Sequence, residues 1–253
     1  MHYPARHLLT GALASLALLV VPLEQASAAT SMSLGVDYAS GDYGTPDTTG
    51  TLSVPISMKH VAGAWTLRAS LPYVRAEGTF NRNDGTTLVA KRTESGMGDL
   101  TVGASYALID NPDGYSFDIG GKAKLVTADT AKTLITSGES DYSIMVDVFR
   151  SFTKLAVFGT LGYSVKGEPA GVRYKNPFFT SLGVSMPLKS GHTLGASWDY
   201  RQQLTAAGDP ISELTAFYSM KISPSNKMQF YVVTGLSDGS PDLGGGIVLT
   251  HTY

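Results

Sequence analysis

The chain has 253 residues, a formal net charge of −2 and no cysteine. Without cysteine, neither a disulfide framework nor a metal site with thiolate ligands is possible. The nearly neutral charge provides no basic surface for nucleic acid, so no nucleic-acid partner is expected, and no motif predicts a cofactor.

The first 28 residues have the pattern of a secretory signal peptide. A basic start is followed by the apolar run Leu8–Val21 and then by the small residues Ala26-Ser27-Ala28, after which cleavage is expected. The run is shorter than the ~20 residues that a transmembrane helix needs. We therefore expect residues 29–253 to form the mature domain, and no later apolar stretch predicts a helical span.

The rest of the chain divides into runs in which apolar and polar residues alternate. This period of two is that of a β-strand with one apolar and one polar face. A run of ~10 residues is long enough for a tilted strand to cross a bilayer. The predicted strands are Ser31–Ser40, Gly50–Lys59, Ala64–Arg75, Met97–Leu108, Tyr115–Val126, Ser140–Arg150, Leu155–Lys166, Phe178–Leu188, Thr193–Gln203, Ser212–Ile222, Met228–Leu236 and Leu243–Tyr253.

The connections between these strands alternate in length. Turns such as HVAG and KSGH are short, whereas the intervening loops are long and polar, the longest being Ala76–Gly96. Outer-membrane barrels have short periplasmic turns and long extracellular loops. The sequence thus predicts an all-β fold, a 12-stranded antiparallel transmembrane β-barrel with both termini periplasmic. Its Ala76–Gly96 loop is expected to form a hairpin that either folds over the pore or projects outward.

Aromatic residues on the apolar face are expected to mark the two edges of the bilayer, in contact with outer-membrane lipids. The final strand ends on Tyr253, which resembles the signal by which the barrel assembly machinery recognises outer-membrane proteins. The aromatic residues at the predicted periplasmic edge are Trp65, Tyr106, Tyr115, Tyr218, Phe230 and Tyr253, and those at the outer edge are Tyr38, Tyr73, Tyr142, Tyr163 and Tyr200.

The opposite face of the strands, which we expect to line the lumen, carries the charged residues. Acidic and basic residues are nearly balanced there, which predicts weak ion selectivity. Lys122 and Asp147, on adjacent strands, are expected to form an ion pair. The predicted lumen charges are Asp37, Lys59, Arg68, Asp99, Asp118, Lys122, Lys124, Asp147, Lys166, Asp199, Arg201, Glu213 and Lys221.

Five aromatic residues share this lumen face, on five of the later strands. They either fill the barrel interior or form a surface along which apolar solutes slide, and the sequence leaves both interpretations open. These residues are Phe149, Phe158, Phe179, Phe217 and Tyr231.

Pro55, Pro72 and Pro187 also fall on the lumen face, inside predicted strands. Proline cannot donate to the ladder of hydrogen bonds. If HVAG is a tight turn, Pro55 pairs with Arg68 and Pro72 with Thr51, which places two interruptions in one strand pair. We expect either a bulge that only shapes the barrel or a kinked, unzipped wall with a lateral opening.

The stretches SLPYVRAEG, GMGDLTVGASYALI, SGESDYSIMVDVFRSF and GLSDGSPDLGGGIVLTHTY resemble the outer-membrane proteins of the meta-pathway phenol-degradation family. One departure is KLVTADTAK, where the family pattern has a proline and a glycine. This leaves the shape of the loop Thr127–Glu139 open. The resemblance implies a monomeric, channel-like barrel for uptake of aromatic or other hydrophobic compounds, without catalytic residues.

An outer-membrane lipid hydrolase is the least favoured function. The three mature histidines, His60, His192 and His251, lie in predicted periplasmic turns or face lipid, away from the outer rim where lipid would be attacked. The inward carboxylates are interpreted as ion pairs, and no metal-binding spacing is found. The sequence therefore predicts a passive channel for small, hydrophobic or aromatic solutes, with a plugged structural or adhesive barrel acting through its extracellular loops as the alternative.

Overall fold

The computed structural model describes residues 28–44, 47–81, 89–111, 114–188 and 191–253. The predicted signal peptide lies outside these residues except for Ala28. The strands of the described residues are β1 (Ala29–Gly41), β2 (Thr49–Ala62), β3 (Trp65–Asn81), β4 (Val89–Met97), β5 (Leu100–Asn111), β6 (Tyr115–Leu125), β7 (Asp141–Ser151), β8 (Ala156–Val165), β9 (Phe178–Pro187), β10 (Thr193–Arg201), β11 (Ile211–Lys221), β12 (Asn226–Gly235) and β13 (Leu243–Thr252).

These strands form one closed antiparallel sheet. The first strand, β1, pairs with the last, β13, from Ser31 opposite Thr252 to Ser40 opposite Leu243. Both β4 and β5 pair with β3, one after the other along its length, so together they fill a single strand position in the wall. The strands therefore occupy 12 positions of the 13-stranded sheet, and the predicted 12-stranded barrel is confirmed. No helix in the described ranges is long and apolar enough to cross a membrane.

The predicted fourth strand is divided because Gly98 and Asp99 interrupt it. β3 pairs with β5 as far as Ser70 opposite Thr101, and with β4 from Tyr73 opposite Met97, so the register shifts by one residue between these pairs. The described part of the predicted Ala76–Gly96 loop is a β3–β4 hairpin that continues the wall, whereas residues 82–88 lie outside the described chain.

The register places the apolar side chains on the outside of the barrel. Trp65 is 52% exposed there, and its ring makes an edge contact with Tyr106, with centroids 5.1 Å apart. In water such a surface would be unfavourable, but hydrocarbon is its natural solvent. Similarly exposed outward residues on other strands include Leu34, Ile56, Ile144, Leu161, Leu182, Val232 and Ile247.

The two ends of the barrel differ in their connections. At one end, here called the short-turn end, the connections contain two to five residues. Gly63, Gly114 and Gly191 lie there with φ of 57°, 86° and 74°, a region that glycine adopts without steric cost. At the other end, here called the long-loop end, the connections contain seven to fifteen residues. The predicted alternation of turn lengths is thus present.

The prolines are paired differently from the prediction. Pro55 lies directly opposite Pro72, not opposite Arg68. The carbonyl of Pro72 accepts a hydrogen bond from Gly98 N at 2.8 Å, so the backbone nitrogen of Pro72 faces β4 and β5 rather than β2. The β2–β3 ladder consequently loses no hydrogen bond and runs unbroken from Gly50 to Ala62. The predicted unzipping of the wall between these two strands is wrong.

The interrupted ladders are the two neighbouring ones, β1–β2 on one side and the pairing of β3 with β4 and β5 on the other. The β1–β2 ladder is interrupted at Gly35, which lies across from Pro55. The proline ring covers this gap from the inside, because a Cβ added at Gly35 would lie 3.0 Å from Cγ of Pro55. The ring of Pro72 covers Gly98 in the same way, at 2.9 Å. Pro187 is the last residue of β9 and interrupts no ladder. The proline rings therefore close the wall.

Candidate functional site

A cavity of about 380 Å³ lies in the lumen. Its wall contains several small polar residues that had no place in the sequence-based prediction, including Ser57, Ser70 and Ser105. They were missed because only charge and aromatic character were used to select lumen residues. The predicted lumen residues that line the cavity are Asp37, Arg68, Asp99, Lys122, Asp147, Glu213 and Tyr231, together with Pro55 and Pro72.

One half of the lumen wall carries an apolar surface, here called the aromatic strip. Its centre is a buried cluster of Phe217, Tyr231, Val233 and Val248, each no more than 7% exposed, against which Phe158 packs. Phe149 lies directly opposite Phe158 on the neighbouring strand and extends the strip to β7. The strip is therefore formed by Phe149, Phe158, Phe217, Tyr231, Val233 and Val248.

The two valines of the strip were not selected from the sequence, although they follow from the period of two. Val248 is inward because it alternates with the outward Ile247 and Leu249 on β13. At the edge of the strip, the hydroxyl of Tyr231 donates a hydrogen bond to the carboxylate of Asp37. The polar end of the ring is thus satisfied while its face stays in the apolar cluster.

The opposite half of the wall is polar, and Arg68 extends across it. Arg68 lies opposite Gly103 of β5, and its Nη1 donates to Ser105 Oγ at 3.2 Å. Small residues on β5 leave room for the arginine arm to reach toward β6 and β7. There it interacts electrostatically with Asp118 and Asp147, which lie directly opposite one another. Facing carboxylates repel each other, so a nearby cation is needed to stabilise the pair.

Lys122 does not form the predicted ion pair with Asp147. Its Nζ lies 5.2 Å from the centroid of the Phe179 ring, a contact between a cation and an aromatic face that spans the lumen from β6 to β9. Asp147 instead accepts a hydrogen bond from Thr160 Oγ1 at 2.5 Å, although it still interacts electrostatically with Lys122. The lumen is consequently narrowed where Lys122 and Phe179 meet.

Lys59 and Lys221 lie toward the short-turn end, and six other predicted charges lie toward the long-loop end. Lys124 Nζ is 3.3 Å from Asp99 Oδ2 and 3.4 Å from Asp141 Oδ2, and Lys166 also pairs with Asp141. Arg201, Asp199 and Glu213 form a second group, in which Asp199 and Glu213 are direct cross-strand neighbours and Arg201 interacts electrostatically with Glu213.

The longest described connection, residues 126–140, folds against the lumen wall, and we call it the strap. Asp99 holds it in place, because Oδ1 accepts hydrogen bonds from the backbone nitrogens of Thr127 and Ala128, both at 3.1 Å. Asp99 Oδ2 accepts another from Thr136 Oγ1 at 2.6 Å. Thr136 is only 2% exposed. One lumen carboxylate therefore anchors the strap at two places, near its start and at Thr136.

The strap also covers the edge of β4, which among the described strands pairs with β3 alone. Leu134 N donates to Glu94 Oε2 at 2.8 Å, and Lys132 Nζ donates to the backbone oxygen of Ser95 at 2.6 Å. An uncovered edge strand exposes backbone groups that can pair with another chain. The strap thus covers part of this edge at the long-loop end of the barrel.

A second loop approaches the mouth from the β1–β2 side. Tyr43, with a φ of 50°, lies in this loop outside the strands. Burial, and then the charges of Glu213 and Asp242, raise the pKa of its hydroxyl above the ordinary value. The phenol is therefore protonated at neutral pH and can donate hydrogen bonds at the mouth.

The closed antiparallel sheet, its apolar outer face and its polar, partly aromatic lumen define an outer-membrane β-barrel. The chain belongs to the family described as "Putative MetA-pathway of phenol degradation", which it matches over residues 57–249. The resemblance to the phenol-degradation family is confirmed. A comparison with curated proteins gives no match.

Solved structures with a similar fold include channels and a translocator. An outer membrane channel from Pseudomonas putida F1 has a TM-score of 0.73 at 12% identity, covering 90% of this chain and 97% of that one. The KdgM porin has a TM-score of 0.56 at 12% identity, covering 87% and 99%. The translocator domain of the autotransporter NalP from Neisseria meningitidis has a TM-score of 0.51 at 13% identity, covering 91% and 90%. At these identities the similarity concerns the fold.

Proposed function

We propose that the protein is a passive outer-membrane channel for small hydrophobic or aromatic solutes. The observation that carries this proposal is the aromatic strip, which gathers apolar side chains from β7, β8, β11, β12 and β13 on the inner side of the barrel wall, with Tyr231 and Val233 at the cavity. A barrel whose interior was filled only by charge pairs would not need this group of apolar side chains. Membership of a family described by phenol degradation supports the same class of solute.

The orientation and the export route form part of this proposal. The short-turn end faces the periplasm, as is usual for such barrels, so that both termini lie there and the strap lies at the cell surface. Residues 1–28 direct export, and the last strand, which Tyr253 directly follows, is recognised by the assembly machinery.

A plugged structural or adhesive barrel is the second candidate, and the strap is the observation that favours it. The strap is bonded to the lumen carboxylate of Asp99, and Lys122 and Phe179 contact each other across part of the lumen. Conductance of the full-length barrel in a planar lipid bilayer separates the two candidates. Discrete single-channel openings support the channel, whereas a silent bilayer containing correctly folded protein supports the plugged barrel.

We do not extend the proposal to lipid hydrolysis. The three histidines of the described chain lie at the short-turn end. They bond to Thr30, Tyr218 and Asn226 and not to a carboxylate, so none has the acid partner of a hydrolase triad.

Removal of two rings from the strip is expected to slow aromatic uptake. With Phe158→Ala and Phe217→Ala combined, we expect permeation of a small aromatic solute into proteoliposomes to fall by about 10-fold, because a ring-on-ring contact is worth ~0.5–1.5 kcal/mol. The matched control is Phe230→Ala, which removes an outward, lipid-facing ring from β12. An unchanged rate in the folded double variant would show that the strip only fills space.

A further inference from the structure

Four glycines on the lumen face each lie beneath an aromatic ring from another strand. At three of them, an added Cβ would fall within the ring opposite, and at Gly246 it would collide with the hydroxyl of Tyr231 and the carboxylate of Asp37. Glycine is the residue that allows such a close approach of a side chain to backbone. The pairs are Gly162 with Phe179, Gly183 with Phe158, Gly195 with Phe217, and Gly246 with Tyr231.

The glycines decide how the rings are oriented. Phe158 and Gly183 are direct cross-strand neighbours on β8 and β9, so the ring lies flat over the backbone of β9 instead of standing upright in the lumen. Phe217 lies over Gly195 of β10 from the other side in the same manner. The two rings, which begin three strands apart, can therefore meet above β9 and β10, and Phe158 packs against the cluster that contains Phe217.

The same device operates at the narrow point of the lumen. The Phe179 ring covers Gly162 on one face, and the ammonium group of Lys122 lies over the ring at 5.2 Å. A ring that lies flat against the wall narrows the bore by only its thickness, whereas an upright ring narrows the bore by its full length. The position of the Phe179 ring against Lys122, and so the bore at this point, therefore depends on residue 162 being a glycine.

We propose that Gly162 and Gly183 are specificity-determining residues, which set the bore and the flatness of the aromatic strip and so decide which ring-bearing solutes pass. This inference rests on the proposed channel function. The three atoms nearest to a methyl group at either position all belong to the partner ring, and none is a backbone atom. The ring would then tilt into the lumen, while the ladder itself would stay intact.

The test compares Gly162→Ala and Gly183→Ala with Gly159→Ala in full-length barrels reconstituted into proteoliposomes. Gly159 is in β8 but points outward, where a methyl group would meet the end of Leu182 at 3.1 Å and the backbone oxygen of Ser181 at 3.3 Å. We expect the two lumen variants to lower permeation of a two-ring aromatic solute about 10-fold and that of a one-ring solute less, with the control unchanged. Adding Phe158→Ala to Gly183→Ala should bring the permeation of the two-ring solute back to the level of Phe158→Ala alone, because the methyl group then has no ring to displace.

Two outcomes contradict the inference about the glycines, and a third distinguishes its failure from failure of the proposed channel function. If the lumen variants yield less folded barrel, judged by heat-modifiable migration on gels, but the folded fraction has normal permeation, the glycines serve folding alone and the inference is wrong. Equal loss for both solutes also contradicts it. If no protein, including the wild type, passes aromatic solutes but ion conductance falls in the lumen variants alone, the glycines set the bore and the proposed solute class is wrong.

Discussion

Replacing Asp99 by alanine is expected to release the strap and raise trypsin cleavage after Lys132 by about 100-fold. The carboxylate accepts two backbone bonds and one hydroxyl bond from the strap, and it pairs with Lys124. Hydrogen bonds to a charged group are worth ~1.5–3 kcal/mol each, and some are replaced by water when the strap opens. A net loss of ~3 kcal/mol raises the open population about 100-fold, and cleavage follows that population.

Lys132 provides a direct measure because its ammonium group bonds to Ser95 O while the strap is closed. Cleavage at this one bond can be followed by mass spectrometry in the folded barrel. Asp238→Ala is the control, since Asp238 is an exposed carboxylate in another long loop. An Asp99 variant cleaved no faster than this control would mean that the contacts with β4 hold the strap unaided. Larger single-channel conductance in the same variant would show that the strap also narrows the pore.

The fold could be predicted because its main signal is local. Each strand alternates between an apolar and a polar face, and a slip by one residue would turn every apolar side chain into the lumen. Arg68 illustrates this, since its position between Leu67 and Ala69 was enough to assign it to the lumen side. The same reasoning predicts the inward prolines and rings without any knowledge of their partners.

The register of β2 and β3 could not be predicted in this way. A shift by an even number of residues, here the four from Arg68 to Pro72, leaves every side chain on the same face, so alternation does not distinguish which of the two lies opposite Pro55. The turn decides between them, and the turn is Gly63-Ala64, between the paired Ala62 and Trp65, not the whole of HVAG. The prediction ended β2 too early and so placed the prolines incorrectly.

The strap and the glycine pairs depend on contacts between distant residues. Asp99 and Thr136 are 37 residues apart, and nothing in either local sequence indicates their bond. Gly183 has no side chain and therefore contributes nothing to an alternating pattern, although it determines the orientation of Phe158. Patterns of residue type identify which side chains enter the lumen, but the space that each one occupies is fixed by its cross-strand neighbours.

The largest effect on stability is expected from Arg68→Met. This change leaves Asp118 and Asp147 opposite one another on β6 and β7 without the guanidinium charge that attracts both of them. Loss of one partner from a fully buried group of charges costs ~3–5 kcal/mol, and the half-buried positions of these three side chains place the cost at the lower end. We expect the free energy of unfolding in detergent micelles to fall by about 3 kcal/mol, measured by urea titration with tryptophan fluorescence.

Lys59→Met provides the matched control, because Lys59 lies directly opposite Arg68 on the same face of β2 and β3. Its removal relieves the repulsion between two cations as well as removing an attraction to Asp118, so the expected change is below about 1 kcal/mol. Combining Arg68→Met with Asp118→Asn removes the facing carboxylates as a pair and should recover most of the lost stability. If the double variant is as unstable as Arg68→Met alone, the arginine stabilises the wall by packing over Gly103 and not by its charge.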